Sequence, residues 1–148
     1  MNRIFIAVII CLVLISAVPA LGVDPLFVHL EEAIPQGGGR VLLVCLVENN
    51  ANSDIISLDL ELEGRLSSDR AEASGGWGIS KQSERGFRVH TLGRLRPGSN
   101  GRFKIMVSGD LDIFRGRSAR SLLTVTAQYS DGRKRVVDVG APMIRDLR

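Results

Sequence analysis

Cysteine, histidine and the large aromatics are scarce in this chain: two Cys, two His, one Trp and one Tyr among 148 residues. Each scarcity closes off a class of protein. Beyond residue 22 only Cys45 remains, so that part of the chain closes no internal disulfide and must be held by its core. Cys45 lies in VLLVCLV, where a buried, inert thiol competes with a bridge to another chain. Metal or acid–base work by His29 and His90 would require the fold to bring together two residues far apart in sequence. Lysine is also rare, at three residues. No Asn-x-Ser/Thr triplet occurs, so sequon glycosylation is not expected. No segment carries helical periodicity, and no internal repeat is visible. No cofactor and no resident metal are expected.

Long apolar runs are missing too, with one exception. Residues 4–18, IFIAVIICLVLISAV, follow the short positive end Asn2-Arg3 and precede Pro19-Ala20-Leu21-Gly22. A positive end, an apolar stretch and small residues at alternate positions make the layout of a secretory signal peptide. Uncleaved, the run extends to about 20 residues, enough to anchor the chain in a bilayer. Residues 1–22 are therefore read as a signal peptide or an uncleaved anchor, and residues 23–148 as one exported domain. The expected location is extracellular or in the cell envelope, with membrane contact only through an uncleaved leader.

Past residue 22 the apolar period is two. Ile56, Leu58, Leu60 and Leu62 alternate with Ser57, Asp59, Glu61 and Glu63, the mark of a strand with one dry and one wet face. Residues 40–47, RVLLVCLV, are apolar on both faces and read as a central strand between covering layers. Residues 26–30, 88–95, 103–107, 121–129 and 135–139 complete seven strand candidates. Turn chemistry separates them. RPGSNG (residues 96–101) supplies a fixed φ and glycines between two strands that need not pair with each other. Asp131-Gly132 predicts a type I′ hairpin. Gly37-Gly38-Gly39 precede a strand rather than follow one, which argues a bend and not a phosphate loop. Residues 65–77 and 109–120 read as long loops. Seven short alternating strands with Gly/Pro turns predict an all-β fold, a single antiparallel sandwich.

Three stretches carry a resemblance. VENNANSDIISLDLEL, LGRLRPGSNGRFKIMVS and LLTVTAQYSDGRK together resemble the Ig-like modules of archaeal surface-layer-related and cell-adhesion-related (CARDB-like) proteins. Val47-Glu48-Asn49-Asn50, the segment 93–98 and the segment 129–132 stand where that family places its turns, over residues 41–137. The resemblance implies an Ig-like sandwich. It also implies a non-enzymatic module for protein–protein or cell-envelope contacts. Its motifs are turn chemistry, so they specify fold far better than function.

Charge is unevenly laid out. Residues 23–80 hold three basic and ten acidic side chains; residues 81–148 hold fifteen basic and six acidic. Either the second half presents a basic face to a polyanion, or acidic and basic strands pair inside the domain. The candidate contact residues are Arg115, Arg117 and Arg120 on one long loop, joined by Arg133, Lys134 and Arg135. Arginine forks suit carboxylate, sulfate or phosphate. The partners expected are envelope or surface proteins, with acidic glycan or lipid headgroups as the alternative; nucleic acid is not among them. Trp77, in GGWG, is the candidate exposed aromatic for a sugar ring or a partner, set against a plain core-filling role. Ser99 in PGSNG lacks the first glycine of a nucleophile elbow and reads as a turn residue. Asp110 and Asp112 lack EF-type spacing and read as a solvated loop.

Overall fold

A strand whose alternate residues are apolar must bury that row against another sheet, and this chain does so throughout. The computed structural model describes residues 24–75, 77–116, 121–145 and 147. The proposed leader, residues 1–22, lies outside them. Among the described residues there are nine strands: β1 (Leu26–Gly37), β2 (Arg40–Asn49), β3 (Ile55–Leu62), β4 (Leu66–Ala73), β5 (Gly78–Lys81), β6 (Gly86–Leu95), β7 (Asn100–Gly109), β8 (Ser121–Tyr129) and β9 (Lys134–Gly140). They form two antiparallel sheets, β1-β2-β7-β4 and β5-β6-β3-β8-β9.

That order is the ABED and CFG arrangement of an Ig-like sandwich, with β1, β2, β7 and β4 as A, B, E and D and β3, β8 and β9 as C, F and G. One feature departs from the plain pattern. The connection between the D and E strands forms a hairpin, β5–β6, that adds to the outside of the C strand. The core fills the space between sheets with Val41, Leu43, Cys45 and Val47 of β2, Phe103, Ile105 and Val107 of β7, Leu58 and Leu60 of β3, and Leu123, Val125 and Ala127 of β8. Each set is spaced by two, as the pleat demands.

The strand count exceeds the seven read from the sequence because β4 and β5 carry little apolar signal. LSSDRAEA buries Leu66 and Ser68, and its inward row continues through Ala71 and Ala73, too small to mark a period. A bulge between Ser67 and Arg70 shifts the register within it. In β3 the dry row begins at Ile55 rather than Ile56, because a register shift between Ile55 and Ser57 turns Ile56 off the core face. The loop 109–120 is also more structured than expected: Leu111–Phe114 form one 3-10 turn that drives Ile113 and Phe114 into the end of the core.

β2 is not sandwiched between two layers, as its all-apolar sequence suggested. Val41, Leu43, Cys45 and Val47 face the core, while Leu42 and Leu46 face outward and are half-buried. Their cover is side chains. Arg102 of β7 reaches to Glu31 of β1 across the intervening strand β2, donating from Nε at 2.7 Å and from a terminal nitrogen at 2.9 Å.

The turns obey residue chemistry. Gly38 and Gly39, both at positive φ, close the β1–β2 hairpin, the backbone that a type I′ turn requires. The Asp131-Gly132 hairpin is not type I′. Among the described residues only glycines have positive φ, so Asp131 keeps negative φ and Gly132 alone takes the left-handed position. Tyr129 and Arg133 close a three-residue loop, in which the Asp131 carboxylate accepts from the Arg133 N–H at 3.0 Å. A type I turn followed by a left-handed residue is the common three-residue hairpin loop, and Gly132 supplies that residue. The segment 96–101 crosses from β6 in one sheet to β7 in the other.

Candidate functional site

The fold divides the arginine cluster read from the sequence. Arg133, Lys134 and Arg135 sit at the β8–β9 hairpin, beside Pro25 and the β2–β3 loop. Arg115 ends the 3-10 turn at the opposite end of the sandwich, where its guanidinium lies 3.5 Å from Asp112 and donates to the Leu147 carbonyl. Strand β8 separates the two groups, and its eight steps span about 26 Å. Arg117 and Arg120 lie outside the described residues.

The charges of Asp131 and Arg133 at the hairpin end are tied to the β2–β3 loop. Ser53 donates to Asp131 Oδ2 at 2.6 Å, and Arg133 Nε donates to the same oxygen at 2.7 Å. A terminal nitrogen of Arg133 meets Ser53 Oγ at 3.2 Å. This triangle fixes the guanidinium against the β2–β3 loop. It also holds the Asp131 carboxyl below its ordinary value, chiefly through the Ser53 hydroxyl and then the Arg133 N–H. Arg135 approaches Asp24 at 3.8 Å, the loosest ion pair among the described residues. Lys134 is exposed. These cations border a cleft of about 360 Å³, lined by Pro25, Ala51, Tyr129, Arg133, Lys134 and Arg135. Its floor is rigid: Tyr129 is buried and its hydroxyl donates to the Pro25 carbonyl at 3.1 Å.

Acid from the first half of the chain meets arginine from the second in several places. Arg88 pairs with Asp59 at 2.7 Å, Arg102 with Glu31, and Arg135 with Asp24. Part of the charge asymmetry along the sequence is therefore pairing between strands within the domain. The fork from Arg102 is also what holds the Glu31 carboxyl below the usual carboxylate range.

The remaining candidates are placed as follows. Trp77 is half-buried, packed against the core, with its six-membered ring against Gly101 at a position where any Cβ would collide. Gly101 pairs with Val47 on the core-facing row, so the indole covers the open end between the sheets. His29 stacks on Phe27, with ring centroids 6.0 Å apart, on β1 of one sheet. His90 lies on β6 of the other sheet, 3.0 Å from the Ser80 hydroxyl. Asp110 caps the 3-10 turn by accepting from the Asp112 N–H, and also lies 3.5 Å from Arg65. Among the described residues no three His, Cys, Asp or Glu side chains gather where a metal ion would sit, and no helix is long and apolar enough to cross a membrane. Ser99 lies in the turn closed by its N–H to the Arg96 carbonyl at 3.0 Å, with Pro97 and positive-φ Gly98 between them.

Sequence reasoning missed a contrast between the two outer faces. Outside the five-stranded sheet stand Ser57, Asp59, Glu61, Thr124, Thr126 and Gln128, with Val136 of β9 and Ile56 at the β3 bulge as the apolar exceptions. Outside the four-stranded sheet stand Phe27, Ile34, Leu42, Leu46 and Met106, and Lys104 stands with them. Leu42, Met106 and Lys104 line a shallow groove of about 200 Å³ with Arg70, Ala71 and Glu72. The signal was present in RVLLVCLV, whose second apolar row needed a cover that no other layer supplies.

No family model matches this chain, and no curated protein does. Solved structures do resemble it. An exo-β-N-acetylglucosaminidase from Vibrio harveyi, in complex with N-acetylglucosamine, aligns with a TM-score of 0.53 and 11% identity over 83% of this chain. The match spans only 20% of the glucosaminidase chain, and at that identity it speaks for the fold alone. An uncharacterized protein from Nocardia farcinica with an immunoglobulin-like fold aligns at 0.49, with 17% identity, 75% of this chain and 81% of that one. The collagen-binding subdomain of the Enterococcus faecalis surface protein ACE aligns at 0.46, with 9% identity, 81% of this chain and 96% of that one.

Proposed function

We propose that this chain is an exported, non-enzymatic Ig-like module that makes protein–protein or cell-envelope contacts through the outer face of its four-stranded sheet. The observation that carries this reading is the contrast between the two outer faces. A sheet face turned permanently to water alternates apolar and polar cleanly, as the five-stranded sheet does around Asp59 and Thr126. The four-stranded sheet instead leaves Phe27 and Ile34 more than a third exposed beside the half-buried Leu42, Leu46 and Met106. The Arg102–Glu31 pair crosses this face between Leu46 and Leu42, and exposed apolar side chains on either side of it mark a contact surface. Export is supported by the apolar run 4–18 behind Asn2-Arg3.

The test compares the two faces. Full-length protein carrying Leu42→Asp or Met106→Asp should lose binding to the envelope fraction of its source cells by tenfold or more. Thr126→Asp, on the opposite face, should leave it unchanged. Equal binding by all three variants would remove this reading. So would a hydrolase activity abolished by one point change elsewhere.

A further inference from the structure

The two sheets end in four edge strands, β1, β4, β5 and β9, and three of these are blunted against further pairing. β1 carries Pro35 and two register shifts, β4 a register shift between Ser67 and Arg70, and β5 is four residues long. β9 shows none of these features. It holds no proline, and residues 134–139 pair with β8 without a break. The hairpin decides which of its main-chain groups are used. The Tyr129 N–H donates to the Arg133 carbonyl, so in steps of two Arg135, Val137 and Val139 turn N–H and C=O toward β8. Lys134, Val136 and Asp138 turn theirs to the open side of the sheet. Past Gly140 the chain leaves this edge, and the Ile144 N–H donates to the Phe114 carbonyl at 2.7 Å.

The side chains of β9 complement a second copy of the same strand. Lys134, Val136 and Asp138 share the outer face, opposite Gln128, Thr126 and Thr124. Val136 is 60% exposed, the most exposed large apolar residue among the described residues. Asp138 accepts from Thr124 at 2.7 Å and Ser121 at 3.4 Å, both on Oδ1. An antiparallel pair of β9 strands centred on Val136 sets the two valines opposite each other. It also sets Lys134 against the partner's Asp138, once on each side of the two-fold axis. A lysine that guards an edge against foreign strands thus finds its counter-charge in the strand itself. The outward main-chain groups meet in the same register, for about six hydrogen bonds. Other registers fit worse. Centring on Arg135 or on Asp138 puts like charges face to face, and centring on Val137 leaves Lys134 and Asp138 unmatched. A one-residue slip sets the outer row of one strand against the inner row of the other.

We propose that two copies of this chain pair through β9, antiparallel and centred on Val136, joining their five-stranded sheets into one. The contact is isologous, with its axis perpendicular to the joined sheet, so both four-stranded sheets lie on the same side and their apolar faces point one way. The test is sedimentation equilibrium of the full-length chain in non-ionic detergent, which should show a concentration-dependent dimer. Val136→Pro removes an N–H that β8 does not use, a place where an edge strand accepts proline, and should weaken the dimer tenfold or more. Lys134→Glu, at an exposed position, should weaken it about tenfold without altering the unfolding midpoint, because the axis repeats the repulsion. The double variant Lys134→Glu/Asp138→Lys exchanges the charges and should restore association to within about threefold of the native chain. A chain that stays monomeric at about 1 mM, where contacts of this small size still associate, overturns the proposal. So does association that ignores Lys134→Glu or is not restored by the exchange. Slowed hydrogen exchange at Val136 and Asp138 only on adding envelope extract, with the chain itself monomeric, assigns the edge to a foreign strand and overturns self-pairing. Leu42→Asp and Met106→Asp should dimerise as the native chain does, so this contact and the apolar-face contact fail separately.

Discussion

The side-chain amide of Asn49 donates to the main-chain carbonyl of Leu95, 46 residues further along, at 2.8 Å. The same nitrogen serves the Ser53 carbonyl at 2.8 Å, and its oxygen accepts from the Ala51 N–H at 3.0 Å. The Asn49 main chain is engaged as well, donating to Ser99 at 3.0 Å and accepting from Gly98 at 2.7 Å. One fully buried residue therefore ties the β2–β3 loop, the end of β6 and the 96–99 turn, joining the two sheets at the end that carries the basic cleft.

Asn49→Ala should destabilise the domain by about 2–4 kcal/mol, since buried carbonyls and an N–H lose their partners. Urea unfolding measures it. Asn49→Asp should also destabilise, because a carboxylate supplies no donor for the carbonyls of Leu95 and Ser53. A loss below about 0.5 kcal/mol in both variants would mean that the clamp is not structural.

Trp77 and Gly101 form a reporter at the same end. A methyl group at residue 101 would overlap the indole, so Gly101→Ala should displace the ring and red-shift the emission of this chain's single tryptophan. The cost of such overpacking is about 1–3 kcal/mol. An unchanged spectrum would show that the indole does not lie over that glycine.

Cys45 should be chemically silent in the native protein. Burial pushes its thiol up to about 12, with the Glu31 charge adding to the effect. At pH 8 its thiolate is then roughly a thousandfold rarer than in an unfolded chain, and the reaction with a disulfide reagent should slow accordingly. Rapid labelling under native conditions, or a disulfide-linked dimer on a non-reducing gel, would contradict the buried placement.

Acid should weaken the fold through Glu31 and Asp131. Both carboxyls are held below their ordinary values, 4.5 and 3.8, in the folded chain, so folding favours their charged forms. Their contribution is complete above those ordinary values and is lost as pH falls through the lower folded values. Both groups face solvent, so the contribution is modest and salt screens it. Glu31→Gln should flatten the dependence of the unfolding midpoint on pH below about 4.5, with little further change near neutrality. A slope identical to that of the native chain would show that the fork with Arg102 contributes nothing.

The sequence by itself determined the class of fold, because a period-two row such as Leu58, Leu60 and Leu62 has no stable solution except burial against a second sheet. It also determined where the chain turns: Gly38-Gly39 and Pro97-Gly98 carry the φ angles that those turns need. Tertiary structure decided what local pattern does not encode. β4 is a strand because Ser67 and Ala71 pair with Ser108 and Ile105 of β7, although neither residue announces an apolar row. The arginines of the second half, one basic cluster in sequence, fall at two ends of the molecule because β8 runs between them. Part of the acidic excess before residue 80 is matched by second-half partners, Asp59 by Arg88 and Glu31 by Arg102. Those pairings are contacts between residues 29 and 71 positions apart, and only the order and register of strands within each sheet bring such residues together.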